Sequence, residues 1–226
     1  MHRPVLQIAT LAAVAIAGLG LLNRQSAAPA NVGVLPNPTL DARPDASQAL
    51  QTAVFAGGCF WGIEAVFEHV KGVTKAVSGY AGGNVPRPDY EMVSSGTTGH
   101  AESVEVTFDP SIVSYSQLLK VFFAVAHDPT QLNRQGPDVG TQYRSAIFYA
   151  NEEQKRAAEA YIDQLTKAKT FSHPIVTQVA PLRAFYPAED YHQDYLVHHP
   201  DQPYIVINDM PKLEHLRQQL PDLYKN

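Results

Sequence analysis

Between residues 52 and 70 the chain switches from a strand pattern to a helix pattern, and that switch constrains its fold more than any other feature. Thr52 to Ala56 is a short, nearly continuous apolar run, as expected for a strand covered on both faces. Gly57 and Gly58 end the run. Ile63, Val66, Phe67 and Val70 then fall at i, i+3, i+4 and i+7, one face of a helix that packs on the same sheet. Cys59, the only cysteine in the chain, is therefore placed in the turn where a strand delivers the backbone to a helix N-terminus. Free amides and the positive end of the helix dipole meet there, and both favour a thiolate. The paired glycines allow a tight turn that leaves the sulfur unshielded.

A lone cysteine cannot close an intramolecular disulfide, so the fold must be stabilised by packing, and 45% hydrophobic residues suffice for a core. Either Cys59 is inert and deeply buried, or it is kept for its reactivity, and the turn favours the second reading. Trp61 projects roughly opposite Ile63 on a helical wheel, which puts a large ring toward solvent or a cleft, where it could wall an apolar pocket beside the sulfur. Phe60 lies nearer the apolar stripe and suits either the core or such a pocket.

Ala101 to Phe108 alternates, with Val104, Val106 and Phe108 on one face and Ser103, Glu105 and Thr107 on the other. Glu102 falls on the apolar face. Burial there raises its pKa and keeps it protonated near neutrality, as a general acid requires; alternatively it points to water at the strand end or pairs with a buried Arg. Ser114 to Gln117 reads as a capping box opening a helix that buries Leu118, Leu119, Phe122, Phe123 and Ala126. A second helix follows Asn151, with Ala158, Tyr161, Ile162 and Leu165 inward. His127 to Gly140 reads as a surface loop, Tyr143 to Tyr149 and Ile175 to Val179 as strands, and Leu213, Leu216 and Leu220 as the face of a C-terminal helix.

The N-terminus is of a different character. Arg3 precedes an uncharged apolar stretch from Val5 to Leu22, and Ser26, Ala27, Ala28 and Ala30 follow it. Residues 1–28 are expected to be a signal peptide cleaved after Ala28 or Ala30; at roughly 18 apolar residues an uncleaved membrane anchor is the alternative. Residues 29–49, with Pro29, Pro36, Pro38 and Pro44, read as a Pro/Ala-rich linker, and 50–226 as one domain. The folded part is expected outside the cytoplasmic membrane, in the periplasm or exported. The net charge of -5 and the lack of a Lys/Arg run exclude a nucleic-acid-tracking surface.

Gly57-Gly-Cys-Phe-Trp-Gly62 resembles the active-site signature of the A-type peptide methionine sulfoxide reductases, the enzymes specific for the S epimer. Four further blocks follow in that family's order: Gly79 to Gly83, Thr98 to Glu102, Asp138 to Ser145 and Ala188 to Tyr195. Together they span about residues 50 to 205. The resemblance implies an α+β fold, a two-layer sandwich with a mixed β-sheet flanked by helices, and a monomer with no metal or organic cofactor. It implies that Cys59 attacks the sulfoxide sulfur, that Glu102 protonates the oxygen, and that Tyr90 and Tyr143 hydrogen-bond that oxygen. By the same resemblance Phe60 and Trp61 enclose the substrate methyl group, while Asp138 and Tyr195 lie near the substrate main chain. The substrate is methionine sulfoxide, free or in proteins.

Two other readings fit isolated features. Cys59 with a histidine, His192 foremost, would suit a cysteine hydrolase or acyl transferase. His192, His198 and His199 could form a metal-binding module, although without flanking carboxylates or cysteines they are a poor ligand set.

Many relatives carry further cysteines near the C-terminus that capture a sulfenic acid as an internal disulfide, whereas the matching stretch here runs from Asp201 to Ile207 without one. Cys59 sulfenic acid is therefore predicted to accumulate after one turnover and to await an external, thioredoxin-like thiol donor. Mass spectrometry with a sulfenic-acid trap after stoichiometric sulfoxide should find the adduct on Cys59; an untrappable product would count against an unresolved intermediate.

Overall fold

The computed structural model describes residues 35–43 and 49–226. Its strands in chain order are β1 (Gln51–Gly57), β2 (Val73–Ala81), β3 (Ala101–Phe108), β4 (Arg134–Gln135), β5 (Asp138–Val139), β6 (Ser145–Tyr149), β7 (Gln178–Pro181) and β8 (Phe185–Pro187). All but β4 and β5, which pair with each other, form one six-stranded sheet in the order β7-β6-β1-β3-β2-β8. The helices are α1 (Phe60–Glu68), α2 (Tyr90–Ser94), α3 (Tyr115–Val121), α4 (Glu152–Lys167), α5 (Tyr195–His198) and α6 (Met210–Gln219).

Pairing is antiparallel throughout the sheet except between β6 and β7, which run parallel. A parallel neighbour needs a crossover, and α4 supplies it. This is the mixed sheet of an α+β fold. In register, Phe55 of β1 faces Val104 of β3 and Ile147 of β6, while Tyr80 of β2 faces Glu102.

One face carries the main core. Phe55 is fully buried and stacks on Phe67 of α1 and on Phe122, each at 5.0 Å between ring centroids. Val104, Val106 and Phe108 of β3 point into the same cluster, with Ile63 and Val66 of α1. The opposite face is covered too, by a smaller cluster of Val54, Ala56, Ala81, Ala101, Ala146 and Phe148 against Leu182 and Phe185. Ser103, expected on a polar face, is consequently buried. The capping box at Ser114 and Gln117 forms as read, and a π-helical turn, Phe122–Ala126, continues α3.

Several elements differ from the sequence reading. Strand β7 begins at Gln178, because its register is set by Ala146 of β6, and Ile175 packs on the core instead. Within the expected loop 127–140 the β4–β5 ribbon forms. Tyr143, read as the start of a strand, lies in a 3-10 turn, Thr141–Tyr143, before β6.

The apolar stretch 5–22 lies outside the described residues, and among the described residues no helix is long and apolar enough to cross a membrane. Part of the expected linker is not free chain. Leu35 is buried in the main core, Tyr161 donates to the Pro36 carbonyl at 2.9 Å, and Ser116 Oγ donates to the Leu40 carbonyl at 2.7 Å. Residues 35–43 thus seat against α3 and α4, because two buried apolar side chains, Leu35 and Ala42, and several satisfied backbone groups outweigh the composition of the segment.

Phe55→Ala should lose about 3–5 kcal/mol of stability through its aromatic stack. Urea unfolding checks this; a loss under ~1 kcal/mol would mean the stack is not central.

Candidate active site

The strand-to-helix turn sets the geometry. Gly58 adopts φ +105°, and a Cβ there would stand 2.5 Å from Gln135, so only glycine lets the chain turn against the β4–β5 ribbon. Cys59 follows at the N-cap position of α1, 8% exposed. From β3, the Glu102 side chain reaches up to the same helix end: its Oε2 accepts the backbone N–H of Phe60 at 3.1 Å. At 2% exposure, Glu102 is buried on the apolar face.

Cys59, Phe60, Trp61, Tyr90, Glu102, Asp138 and Tyr143 line one cavity of about 260 Å³, joined by Gln202 and Tyr204. Phe60 is itself buried, against Tyr80 and His192. Trp61 is part-exposed. Its indole N–H donates to His192 Nδ1 at 3.1 Å, and its ring lies on Tyr195 at 3.7 Å with the planes 6° apart. Of the eight residues singled out in the sequence, Tyr195 alone does not line the cavity; it stacks against Trp61. Glu189 accepts from the Tyr90 backbone N–H and from the Tyr80 hydroxyl, which ties α2 to the sheet beneath the cavity.

The electrostatics follow from burial. Desolvation lifts the Glu102 carboxyl to about 8; the Phe60 N–H pulls it down and Asp138 adds to the rise. Glu102 is thus a neutral acid at pH 7. Burial likewise pushes the Cys59 thiol well above its ordinary range, with Glu102 and Asp209 adding to the shift. The helix-end effect expected from the sequence is present as the Trp61 backbone N–H, and Lys212 also favours the thiolate, yet burial outweighs both. Burial thus favours the thiol in the substrate-free cavity and opposes the thiolate that the helix dipole alone favours. Desolvation, followed by the negative charge of Glu102, also raises the Tyr90 and Tyr143 phenols, which stay protonated and able to donate.

His192 Nδ1 is taken by the Trp61 indole, and the imidazole is buried among Phe60, Trp61 and Tyr90 rather than lining the cavity that holds the sulfur. Among the described residues no three His, Cys, Asp or Glu side chains gather as a metal-binding group.

Sequence reasoning missed Gln202 and Tyr204. The Tyr204 hydroxyl donates to Asp138 Oδ2, and its ring meets Trp61 edge-on. It also missed the buried pair beneath the turn, in which Lys212 Nζ donates to Asp209 Oδ1 at 3.0 Å against the backbone of Gly62. These residues lie after position 200, where the sequence offers only a short apolar run, Tyr204 to Ile207, and a helix period. Aspartate followed three residues later by lysine is an ordinary surface pattern, and only its burial sets it apart.

This cavity, lined by a buried thiol, a neutral carboxylic acid, three tyrosines and the rings of Phe60 and Trp61, suits the transfer of an oxygen from a polar S=O group flanked by apolar substituents. Residues 51–223 match the family model of peptide methionine sulfoxide reductase. A peptide methionine sulfoxide reductase MsrA 2 from Mesorhizobium japonicum is 61% identical over 179 residues, covering 79% of this chain and 92% of its own. A protein of the same name from Synechocystis is 54% identical over 194 residues, 85% of this chain and 91% of its own. Among solved structures, methionine sulfoxide reductase A of Corynebacterium diphtheriae is 38% identical with a TM-score of 0.60, over 74% of this chain and 85% of that one. The chain belongs to the peptide methionine sulfoxide reductase family. Its activity is that of an oxidoreductase, the reduction of methionine (S)-S-oxide to methionine.

Alkylation of Cys59 in the substrate-free protein should be slower at pH 7 than that of an unhindered thiol, with its inflection displaced to higher pH. Iodoacetamide rates across pH measure this; an inflection below neutrality would show that the helix end prevails over burial.

Proposed function

We propose that Cys59 is the nucleophile and Glu102 the general acid of the reduction. The carrying observation is that Glu102 is buried with one oxygen at the Phe60 N–H, in the same cavity as the sulfur. A sulfoxide sulfur becomes electrophilic when its oxygen is protonated or strongly hydrogen-bonded. Phe60 and Trp61 take the methyl group, which turns the S=O oxygen toward Glu102, Tyr90 and Tyr143 and selects one epimer. Asp138, held by Tyr204, faces the substrate main chain, and Tyr195 acts through Trp61.

As Cys59 Sγ attacks, the sulfoxide oxygen takes the Glu102 proton and the thiol proton passes to the Glu102 carboxylate. The attack forms a bond from Sγ to the substrate sulfur; that bond and the substrate S–O bond then break as the hydroxyl moves to Sγ, which releases methionine and leaves Cys59 sulfenic acid. The sulfoxide sulfur gains two electrons and the cysteine sulfur loses two, so no organic cofactor or metal is needed. With no second cysteine in the chain, two electrons return from an external dithiol of the thioredoxin type. Substrates are free methionine sulfoxide and oxidised methionines of proteins, met by a monomer. The apolar stretch 5–22 supports export, with 1–28 as a signal peptide or retained anchor, which places protein repair under oxidative stress in the periplasm or beyond.

Glu102→Gln should slow the sulfenic-acid-forming step by about 10²–10⁴-fold while leaving binding nearly unchanged, and Cys59→Ser should abolish it. In the wild type the acid is competent when protonated, so the single-turnover rate should fall as pH rises through about 8, and this limb should vanish in Glu102→Gln. Single-turnover kinetics against pH decide it; near-normal turnover in the variant would remove Glu102 from its role.

A further inference from the structure

Glu64 lies one helical turn beyond Phe60 in α1, is 2% exposed, and takes no part in lining the cavity. Both of its oxygens are used. Oε1 accepts the backbone N–H of Ser78 and Oε2 that of Asp194, each at 3.1 Å. The same Ser78 N–H also reaches Gln193 Oε1 at 3.0 Å, while Gln193 Nε2 donates to the Ser78 and Ala188 carbonyls. A carboxyl group on α1 thus fastens a turn of the 190s segment to strand β2.

That turn is unusual. Asp194 adopts φ 52°, a left-handed conformation that costs a non-glycine residue energy and persists where its surroundings enforce it. On either side stand the groups that hold the indole of Trp61: His192 accepts its N–H at 3.1 Å, and Tyr195 stacks on its face at 3.7 Å. Trp61 and Glu64 sit three residues apart on one helix, so the segment 192–195 is gripped twice by α1, through the indole and through the carboxylate.

We infer that Glu64 is a positioning residue for the methyl pocket: by holding the Asp194 amide it fixes the left-handed turn that presses Tyr195 onto Trp61 and so sets the cavity wall. This rests on the reading that Trp61 encloses the substrate. Chemistry favours a carboxylate at this position, because two N–H donors converge on it and only a carboxylate offers an acceptor to each. A glutamine would turn its NH2 group against one of the amides. Burial lifts the Glu64 carboxyl to about 7 against the pull of these amides. Of the charged groups nearby, Glu68 on the same helix is lifted to about 8, Asp194 faces both, and Lys225 from the C-terminal end opposes the rise at Glu68.

Trp61 is the only tryptophan in the chain, so its fluorescence reads the wall directly. In Glu64→Gln the emission should shift as the Tyr195 stack loosens, and KM for methionine sulfoxide should rise by about fivefold or more, with kcat and Cys59 alkylation within about twofold. Asp194→Gly keeps the N–H that Glu64 holds and favours the left-handed turn, so it should retain wild-type emission and KM. Wild-type emission and KM in Glu64→Gln would overturn the inference, as would an Asp194→Gly variant equally impaired. A shifted emission with unchanged KM would instead remove Trp61 from the substrate pocket and take the inference with it, while leaving Cys59 and Glu102 untouched.

If Glu64→Gln does not fold, the wild-type protein answers by NMR. As pH falls through about 7 the carboxylate is lost, so the Asp194 amide and the Trp61 indole N–H should shift with one midpoint while KM rises. An indole resonance that stays fixed across that range overturns the assignment.

Discussion

The hydrogen bond from the Phe60 N–H to Glu102 joins the two elements on which the site depends. It anchors the first turn of α1 to strand β3, and it places a carboxyl group beside the sulfur without any intervening loop. Strand β3 lies between β1 and β2 in the sheet, and β1 runs directly into the cysteine turn, so the proposed acid and nucleophile inherit their separation from the central strands of the sheet. The walls come from less regular chain: Asp138 from a two-residue strand, Tyr143 from a 3-10 turn, and Tyr204 from the approach to the C-terminal helix.

Burial acts on both groups of the proposed reaction, with different consequences. For Glu102 it keeps a proton on the acid at neutral pH, as the reaction needs. For Cys59 it keeps a proton on the sulfur, which opposes attack. The two are not independent, because ionising Glu102 also raises the thiol. In the proposed reaction a bound sulfoxide resolves the opposition by accepting the proton of one while the other gives up its own, so that neither charge has to persist in the apolar cavity. A buried thiol also limits unwanted oxidation or cross-linking before substrate arrives.

Much of the site was legible in the sequence because it lies on regular structure. The apolar run before Gly57, the stripe of α1, and the alternation of β3 placed Cys59 in a turn and Glu102 inward. The capping box at Ser114 was equally clear, since its bonds are local. Strand β2 was not: Ser78 and Gly79 are buried without being apolar, and a register irregularity between Val73 and Lys75 breaks its alternation. Ser103 was placed on a polar face because nothing local reveals that the second face of the sheet is covered. Residues 35–43 were read as linker from their prolines, whereas contacts more than 70 residues away in sequence hold them, such as that of Ser116 with Leu40.

By itself the sequence determined where strand gives way to helix, that one sulfur stands at that junction, and that a carboxyl group shares the inner face of β3. These follow from short-range periodicity, which the backbone must satisfy wherever the segment ends up. The tertiary structure alone decided the protonation of the sulfur, the meeting of Asp138 with Tyr204, and the placing of Tyr195 behind Trp61 rather than in the cavity. Desolvation and side-chain contacts between distant segments depend on the packing of the whole chain, and no local pattern records them.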